Sequence, residues 1–246
     1  MSDLHVVVLA AGKGTRMKSA RPKVLHNVAG KPMIDHVMAA AQSLKPRTTT
    51  FVVGHMKELL RQELDRYSGL SYVPQEPQLG TGHALLQAAG VLERETGFVL
   101  LLSGDVPLLK GHTLASLVRK HVESDAAATV LTAVVDQPYG YGRIVRVKGR
   151  ISRIVEERDA SPAQRKIHEI NSGIYVFSLG PLFQFLRGLA TANAQGEYYL
   201  TDLVSTYRRR KLGVETIVVD HSNEIRGINS RSELAEASRI VRQTKN

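Results

Sequence analysis

An α/β fold with a largely parallel central sheet is what this sequence predicts, and three observations carry it. Apolar runs of β type alternate with stretches of helical periodicity through the first half of the chain. The first of those runs ends in a glycine-rich loop. A continuous apolar run, Phe98–Leu102, suits a strand covered on both faces. Strands that alternate with helices join as parallel neighbours through right-handed crossovers.

Taken in order, Leu4–Ala10 reads as the first strand. Pro32 then suits the first turn of a helix whose apolar positions are Met33, Ile34, Val37, Met38 and Ala41. Thr48–Val53 is rich in β-branched residues and reads as a strand. His55–Tyr67 is expected to be a helix with Leu59, Leu60 and Leu64 on one side, and Thr81–Leu92 another. Phe98–Leu102 is the buried strand, and Gly111–Val122 returns to helix. After about Ala126 the pattern changes. Ala128–Val135, Gly142–Val147, Ile151–Val155 and Ile170–Phe177 are β-like with short connections, Gly149 lying in a tight turn. They read as a strand-rich insertion over the mouth of the first half. Pro181–Leu189 and Leu200–Arg210 are expected helices, and Val214–Val219 a strand. Arg231–Arg242 is a last helix, capped by Ser230. Two lobes sharing one sheet are expected rather than two independent domains.

Composition narrows the function. The 246 residues are 43% hydrophobic and 23% charged, an ordinary globular balance. Cysteine is absent, which excludes disulfides, thiol nucleophiles and thiolate metal sites. No apolar run approaches the ~20 residues of a membrane span. Met1-Ser2-Asp3 opens no secretory signal, so a cytoplasmic location is expected. Thirty-three basic against 23 acidic residues leave a net charge of +10, which points to anionic partners. Six of the cations fall within residues 1–31, around glycines and beside a single acid. That is the arrangement of a phosphate pocket rather than of a nucleic-acid stripe. The run Arg208-Arg209-Arg210-Lys211 reads as a solvated helix end, where cations suit the dipole.

Four segments carry candidate chemistry. Leu9-Ala10-Ala11-Gly12-Lys13-Gly14-Thr15-Arg16 follows the first strand, where a doubly wound sheet places its ligand. Gly12 and Gly14 let backbone amides approach a ligand, and with Lys13 and Arg16 they can cradle phosphates. A plain glycine turn is the competing reading, and Lys18, Arg21 and Lys23 packed alongside weigh against it. Met17 replaces the third small residue of a dinucleotide fingerprint, and no Walker A spacing occurs. Asp105, in Ser103-Gly104-Asp105-Val106-Pro107, follows the buried strand. It is either a turn residue or, opposite a triphosphate, a ligand for Mg²⁺. Gly80-Thr81-Gly82 opens a helix and can lie against a base or ribose, although such helix entries are common. Gly140–Ile144, Ile154–Glu157, Glu169–Ile174 and Glu197–Asp202 gather carboxylates, amides and glycines suited to sugar hydroxyls, or merely to turns. The nine histidines show no metal spacing, and Gly-x-Ser-x-Gly is absent.

In this order the pieces resemble the sugar-1-phosphate nucleotidylyltransferases. Within them the chain is most similar to the uridyltransferase part of the bacterial bifunctional N-acetylglucosamine-1-phosphate uridyltransferase/glucosamine-1-phosphate acetyltransferase family. The residues that carry the resemblance are LAAGKGTRMKSARPKVLH (9–26), GKPMIDHV (30–37), QLGTGHA (78–84), SGDVPLL (103–109), GYGRI (140–144), EINSGIY (169–175), NAQGEYYLTD (193–202) and GINSR (227–231). The first of these marks the whole superfamily. The last two are specific to the N-acetylglucosamine branch.

The resemblance implies a Rossmann-like mixed, mostly parallel sheet over residues 1–229, with a sugar-binding lobe near 126–202. It implies UTP and N-acetylglucosamine 1-phosphate as substrates, UDP-N-acetylglucosamine and pyrophosphate as products, and Mg²⁺ as cofactor, in cell-wall precursor synthesis. By matched position, Leu9, Ala11, Gly12 and Gly14 hold the nucleotide. Arg16 and Lys23 act on its phosphates, and Gln75, Gly80 and Thr81 read uracil. Asp105 and Asn229 hold the metal. Gly142, Glu156, Asn171 and Tyr199 line the sugar, with Thr201 nearby. Residues 230–246 form the helix that, in that family, leads to a left-handed β-helix carrying the acetyltransferase and the trimer. The sequence stops at Asn246, so neither the β-helix nor acetyl transfer is expected of it, and a trimer only where such a domain follows. Other readings stay open: a relative using another sugar phosphate or nucleotide, or a nucleotide-sugar-binding protein without activity. A nucleic-acid binder lacks a motif and stacking aromatics, and no membrane partner is expected.

Overall fold

A computed structural model describes residues 3–12, 14–19, 21–54 and 56–243. Lys13 of the glycine loop, His55 at the expected start of the second helix, and residues 244–246 of the expected C-terminal segment lie outside them.

The chain runs β1 (Leu4–Ala10), β2 (Asn27–Val28), β3 (Lys31–Pro32), α1 (Met33–Gln42), β4 (Thr48–Val53), α2 (Lys57–Leu64) and β5 (Leu70–Pro74). It continues with α3 (Thr81–Leu86), α4 (Ala89–Leu92), β6 (Phe98–Ser103), α5 (Gly111–Glu123) and β7 (Ala128–Val134). The remainder is β8 (Arg143–Val147), β9 (Arg150–Val155), α6 (Pro162–Arg165), β10 (Glu169–Ser178), α7 (Leu179–Arg187), α8 (Asp202–Arg209), β11 (Val214–Val218) and α9 (Arg231–Gln243).

The central sheet has the order β11-β7-β10-β6-β1-β4-β5. β10 alone on this path runs antiparallel to its neighbours, β6 and β7. The other four pairings are parallel, so the sheet is mixed and mostly parallel. Each strand alternates its side chains between two helical layers, as the period of two requires. Val6, Val8, Leu100 and Leu102 join Ile34, Val37, Met38, Leu114 and Leu117 on one face. Val7, Val99 and Leu101 join Leu85, Leu182 and Leu186 on the other. Burial of an aliphatic side chain of this kind contributes about 1.5–3 kcal/mol.

Several expectations need correcting. β7 and β10 belong to the central sheet; only the β8–β9 hairpin lies off its path. β5 has no counterpart in the expected elements. It is the edge strand, half-buried along Leu70–Val73, and lacks a continuous apolar run. Leu59 points to water at 45% exposure, whereas Leu60 and Leu64 are buried; α2 ends at Leu64, short of Tyr67. Thr81–Leu92 breaks into α3 and α4 at Gln87–Ala88. α7 starts two residues before Pro181, so the proline occupies its first turn, where no amide hydrogen is needed. None of the described strands forms a β-helix.

A small third cluster, Val28, Met33, Ile228 and Ala237, seats α9 against β2 and the start of α1. Ser230 and Glu233 cap that helix reciprocally: the Ser230 hydroxyl accepts from the Glu233 amide at 3.3 Å, and the Glu233 carboxylate accepts from the Ser230 amide at 2.9 Å.

One buried polar group ties the fold to pH. His121 is 2% exposed in α5, with Nδ1 3.0 Å from Thr129 Oγ1 and Nε2 3.1 Å from Ser178 Oγ. The Ser178 hydroxyl donates to Ala126 O. His121 Nε2 therefore donates to Ser178, and Nδ1 accepts from Thr129. Burial pulls the imidazole pKa from 6.5 down to about 4, against a small opposing effect of Asp125. The native ring is thus neutral where the unfolded ring is charged. Its contribution is complete above pH 6.5 and is lost as pH falls towards 4, by up to about 3 kcal/mol. The urea midpoint is expected to drop between pH 7 and 4.5, and to drop less in His121→Gln. Parallel pH profiles would contradict this.

Candidate active site

The sheet order reverses at β1: the chain passes to β4 and β5 on one side and returns to β6 on the other. Ligands of open α/β sheets bind outside the carboxyl ends of such strands. A cleft of about 370 Å³ lies there. β1 and its loop contribute Leu9, Ala11 and Gly12. Gln75, Gly80 and Thr81 come from the segment between β5 and α3, and Asp105 follows β6. Lys23 closes the wall. Eight of the expected nucleotide, phosphate and metal residues therefore meet in one place. Gln78, Ala84, Ser103 and Glu197 also line it; they fall within the quoted segments but had no individual role assigned. Gln78 could have had one, since it opens the quoted segment 78–84. Its amide donates to Ala11 O and joins the two loops.

At the centre, Lys23 Nζ donates to Asp105 Oδ2 and, at 3.0 Å, to Asn229 Oδ1. The two expected metal ligands thus converge on one ammonium, with Lys23 and Asp105 side chains 15% and 20% exposed. Asn229 is fixed from behind. Its amide donates to Glu233 at 2.6 Å, and Ile228 N donates to Asp105 O at 2.9 Å. Gly14, at φ +60°, is required here: an added Cβ would come within 2.7 Å of Lys23 Cβ. At Gly12 the same test finds open space. Arg16 sits in the short 3-10 turn Thr15–Met17, exposed, and pairs with no other described residue. It is not part of the cleft wall.

The donor set suits a hard cation. Asp105 offers a carboxylate oxygen and Asn229 an amide oxygen. Among the described residues no group of three or more His, Cys, Asp or Glu could hold a metal. Two such oxygens would leave the remaining positions of a bound cation to phosphate and water, an arrangement that Mg²⁺ accepts.

The expected sugar residues lie in the neighbouring lobe. The Asn171 backbone N–H donates to Gly142 O at 2.9 Å, and an added Cβ on Gly142 would lie 3.4 Å from Glu156 Oε2. Thr201 Oγ1 donates to Glu156 Oε1 at 2.9 Å. Burial pushes the Glu156 carboxyl up, an effect that Thr201 partly offsets and that Asp159, Asp202 and Glu197 reinforce. Tyr199 OH donates to Asp159 Oδ2 at 3.1 Å, and burial and that carboxylate raise the phenol's pKa. Two positioning residues escaped the sequence reading. Tyr175 OH donates to Asn171 Oδ1 at 2.8 Å. Asp159 also accepts from Ala194 N at 2.9 Å. The β10 register shifts between Asn171 and Tyr175, with Gly173 at φ +78°, and such bulges re-aim side chains beside sites.

The two halves are stitched together. Gly82 N donates to Tyr198 O at 2.8 Å, Tyr198 N to Leu79 O at 2.9 Å, and Leu200 N to Thr81 Oγ1 at 3.2 Å. Gly80 allows this, at φ +106° with Tyr198 O only 2.8 Å from where a Cβ would stand. Gln75, 4% exposed, donates to Gly80 O at 2.9 Å.

The MobA-like NTP transferase domain matches residues 6–170. The chain is 48% identical over 244 residues to "Bifunctional protein GlmU" of Syntrophotalea carbinolica, covering 99% of this chain and 52% of that protein. It is 50% identical over 243 residues to the protein of the same name from Heliobacterium modesticaldum, covering 98% and 52%. The chain thus spans about half the length of these curated relatives. A solved structure of UDP-glucose pyrophosphorylase complexed with UDP-glucose superposes with a TM-score of 0.79 at 19% identity, covering 99% of this chain and all of that one. At that identity the likeness establishes the fold.

Proposed function

Since the chain belongs to the MobA-like NTP transferase domain family, we propose that it transfers UMP from UTP to N-acetylglucosamine 1-phosphate, releasing pyrophosphate and forming UDP-N-acetylglucosamine. The observation that carries this reading is the convergence of Asp105 and Asn229 on Lys23 at the wall of a cleft stitched to the lobe of Glu156 and Asn171. The half-length match to proteins named GlmU supports the choice among nucleotidyl transfers.

The chemistry asks little of a general base. A phosphate monoester is already a nucleophile near neutral pH, so the protein's work is alignment in line with the α-phosphorus and screening of charge. The backbone at Ala11, Gly12 and Gly14 holds the triphosphate. Arg16 and Lys23 stabilise charge that grows on the departing pyrophosphate. Gln75, Gly80 and Thr81 read the base, and Gly142, Glu156, Asn171, Tyr199 and Thr201 orient the sugar. Asp105 and Asn229 would hold Mg²⁺, which supplies Lewis-acid neutralisation of phosphate charge when bound. Lys23 donates to the same two oxygens, so it would share them with a bound cation. No described helix is long and apolar enough to cross a membrane, and the substrates of this reading are cytoplasmic nucleotides and sugar phosphates. Residues 1–229 would be the catalytic unit, with residues 126–202 as its sugar lobe and 230–246 as a C-terminal helical segment.

The test is pyrophosphate release from UTP and N-acetylglucosamine 1-phosphate, with and without Mg²⁺, beside CTP, dTTP and glucose 1-phosphate. Metal-dependent release confined to the first pair supports the reading. Release with another pair redirects it, and none with any pair removes it. In Asp105→Asn the half-saturating Mg²⁺ concentration is expected to rise about 10–100-fold. An unchanged metal titration would take Asp105 out of the metal site.

A further inference from the structure

A second cavity, of about 770 Å³, lies between the β8–β9 hairpin and the last turns of α8. It is about twice the volume of the nucleotide cleft. Five cations line it: Lys148, Arg150 and Arg153 from the hairpin, Arg208 and Arg209 from the helix. Among the described residues no acidic or aromatic side chain lines it. None of the five is in an ion pair with a described residue, whereas other arginines of the sheet and helices are, as in Arg143–Glu157, Arg146–Glu169 and Arg187–Glu93. Arg209 donates instead to Ser205 Oγ and Thr206 Oγ1, at 3.1 and 3.0 Å.

The reading of Arg208–Lys211 as a solvated helix end explains two of these charges at most. A helix dipole accounts for cations at the end of α8, but not for three more brought opposite them by a hairpin. Lys148 sharpens the point. With Gly149 it makes the two-residue turn, at φ +49° and +77°. Asn or Asp is the favoured residue there, because it tolerates positive φ. A lysine accepts that backbone strain and sets an ammonium on the rim.

We infer that this groove is a binding site for a multiply charged phosphate anion, separate from the nucleotide cleft. A concave site with converging cations, none of them ion-paired to a described residue, raises the local concentration of anions of high charge density. Arginine forks and a serine hydroxyl such as that of Ser152 are the donors such oxygens take. The absence of an aromatic platform argues against single-stranded nucleic acid, and concavity argues against a flat lipid surface. The inference does not depend on the reaction proposed for the other cleft.

Calorimetric titration of the full chain with inorganic tripolyphosphate, at low ionic strength, is expected to resolve two classes of site. Lys23→Ala should weaken the class that belongs to the nucleotide cleft. The triple variant Lys148→Gln, Arg150→Gln, Arg208→Gln should weaken the other about tenfold, the sum of three modest exposed charge contacts, and leave pyrophosphate release unchanged. Arg150→Glu, a single change at an exposed position, guards against failure of the triple variant to fold and should act in the same direction. Added salt should weaken the groove class further. A single class of site abolished by Lys23→Ala would overturn the inference, as would two classes unaltered by the groove variants. Oligo(dT) and phosphatidylglycerol vesicles are run in parallel. Groove-dependent binding of either, tighter than that of tripolyphosphate, would replace the small anion by a macromolecular one.

Discussion

Arg16→Ala is expected to lower pyrophosphate release by about 10²–10³-fold, the usual cost of removing one preorganised donor from developing negative charge. What makes the variant informative is the lack of any structural role. Arg16 is exposed and pairs with no other described residue, so its removal should change stability by no more than about 0.5 kcal/mol. Lys23 is less clean, because its loss strands Asp105 as well. If Arg16 acts on the leaving group, kcat falls with kcat/KM and the urea midpoint stays. A rise in KM at constant kcat would make it a binding residue only. A near-parental rate would remove it from the site altogether.

The largest stability effect is expected from Glu157→Ala. Arg143 is 1% exposed, and its guanidinium donates to Glu157 Oε2 at 2.6 Å and to Tyr141 O. Glu157 also accepts from Gly140 N at 3.1 Å. Burial alone would raise the Glu157 carboxyl, but Arg143 beside it holds it below the usual range. Removing the carboxylate leaves a buried cation without its counter-charge, which costs about 3–5 kcal/mol in sites of this kind. The lower end is expected, since the Glu157 side chain is 19% exposed and water can reach it. That corresponds to a fall in Tm of about 6–12 °C for a chain of this size. The same pair braces the loop through Gly140 to Gly142, so affinity for the sugar phosphate should fall as well. Glu157→Gln, which keeps hydrogen bonds but not charge, should lose less. A cost under about 1 kcal/mol for the alanine variant would mean that water solvates the guanidinium.

Much of the fold was legible because it is written in short range. The strands Leu4–Ala10 and Thr48–Val53 carry β-branched or continuous apolar runs, and the structure has them at the expected residues. Ser230 and Glu233, three apart, mark the start of α9. Edge and interrupted elements were not legible. β5 is half-buried and mixed in character, so it lacks the pattern of a core strand. Leu59 fits the apolar side of a helical pattern, but only packing decides how wide that side is.

The sequence by itself determined the fold class and the glycine loop, which depend on local propensity and on the rule that ligands sit where strands of a doubly wound sheet end. The roles of the other cleft residues were assigned only by the resemblance to nucleotidylyltransferases. Only the tertiary structure decided that β10 runs antiparallel in the middle of the sheet. It alone decided that Lys23 meets Asp105 and Asn229 across 82 and 206 residues, and that a hairpin and a distant helix end enclose one basic groove. Each of those depends on which strands pair and which loops close. Periodicity carries no information about such partners, because a residue's local preferences are the same whichever distant segment packs against it.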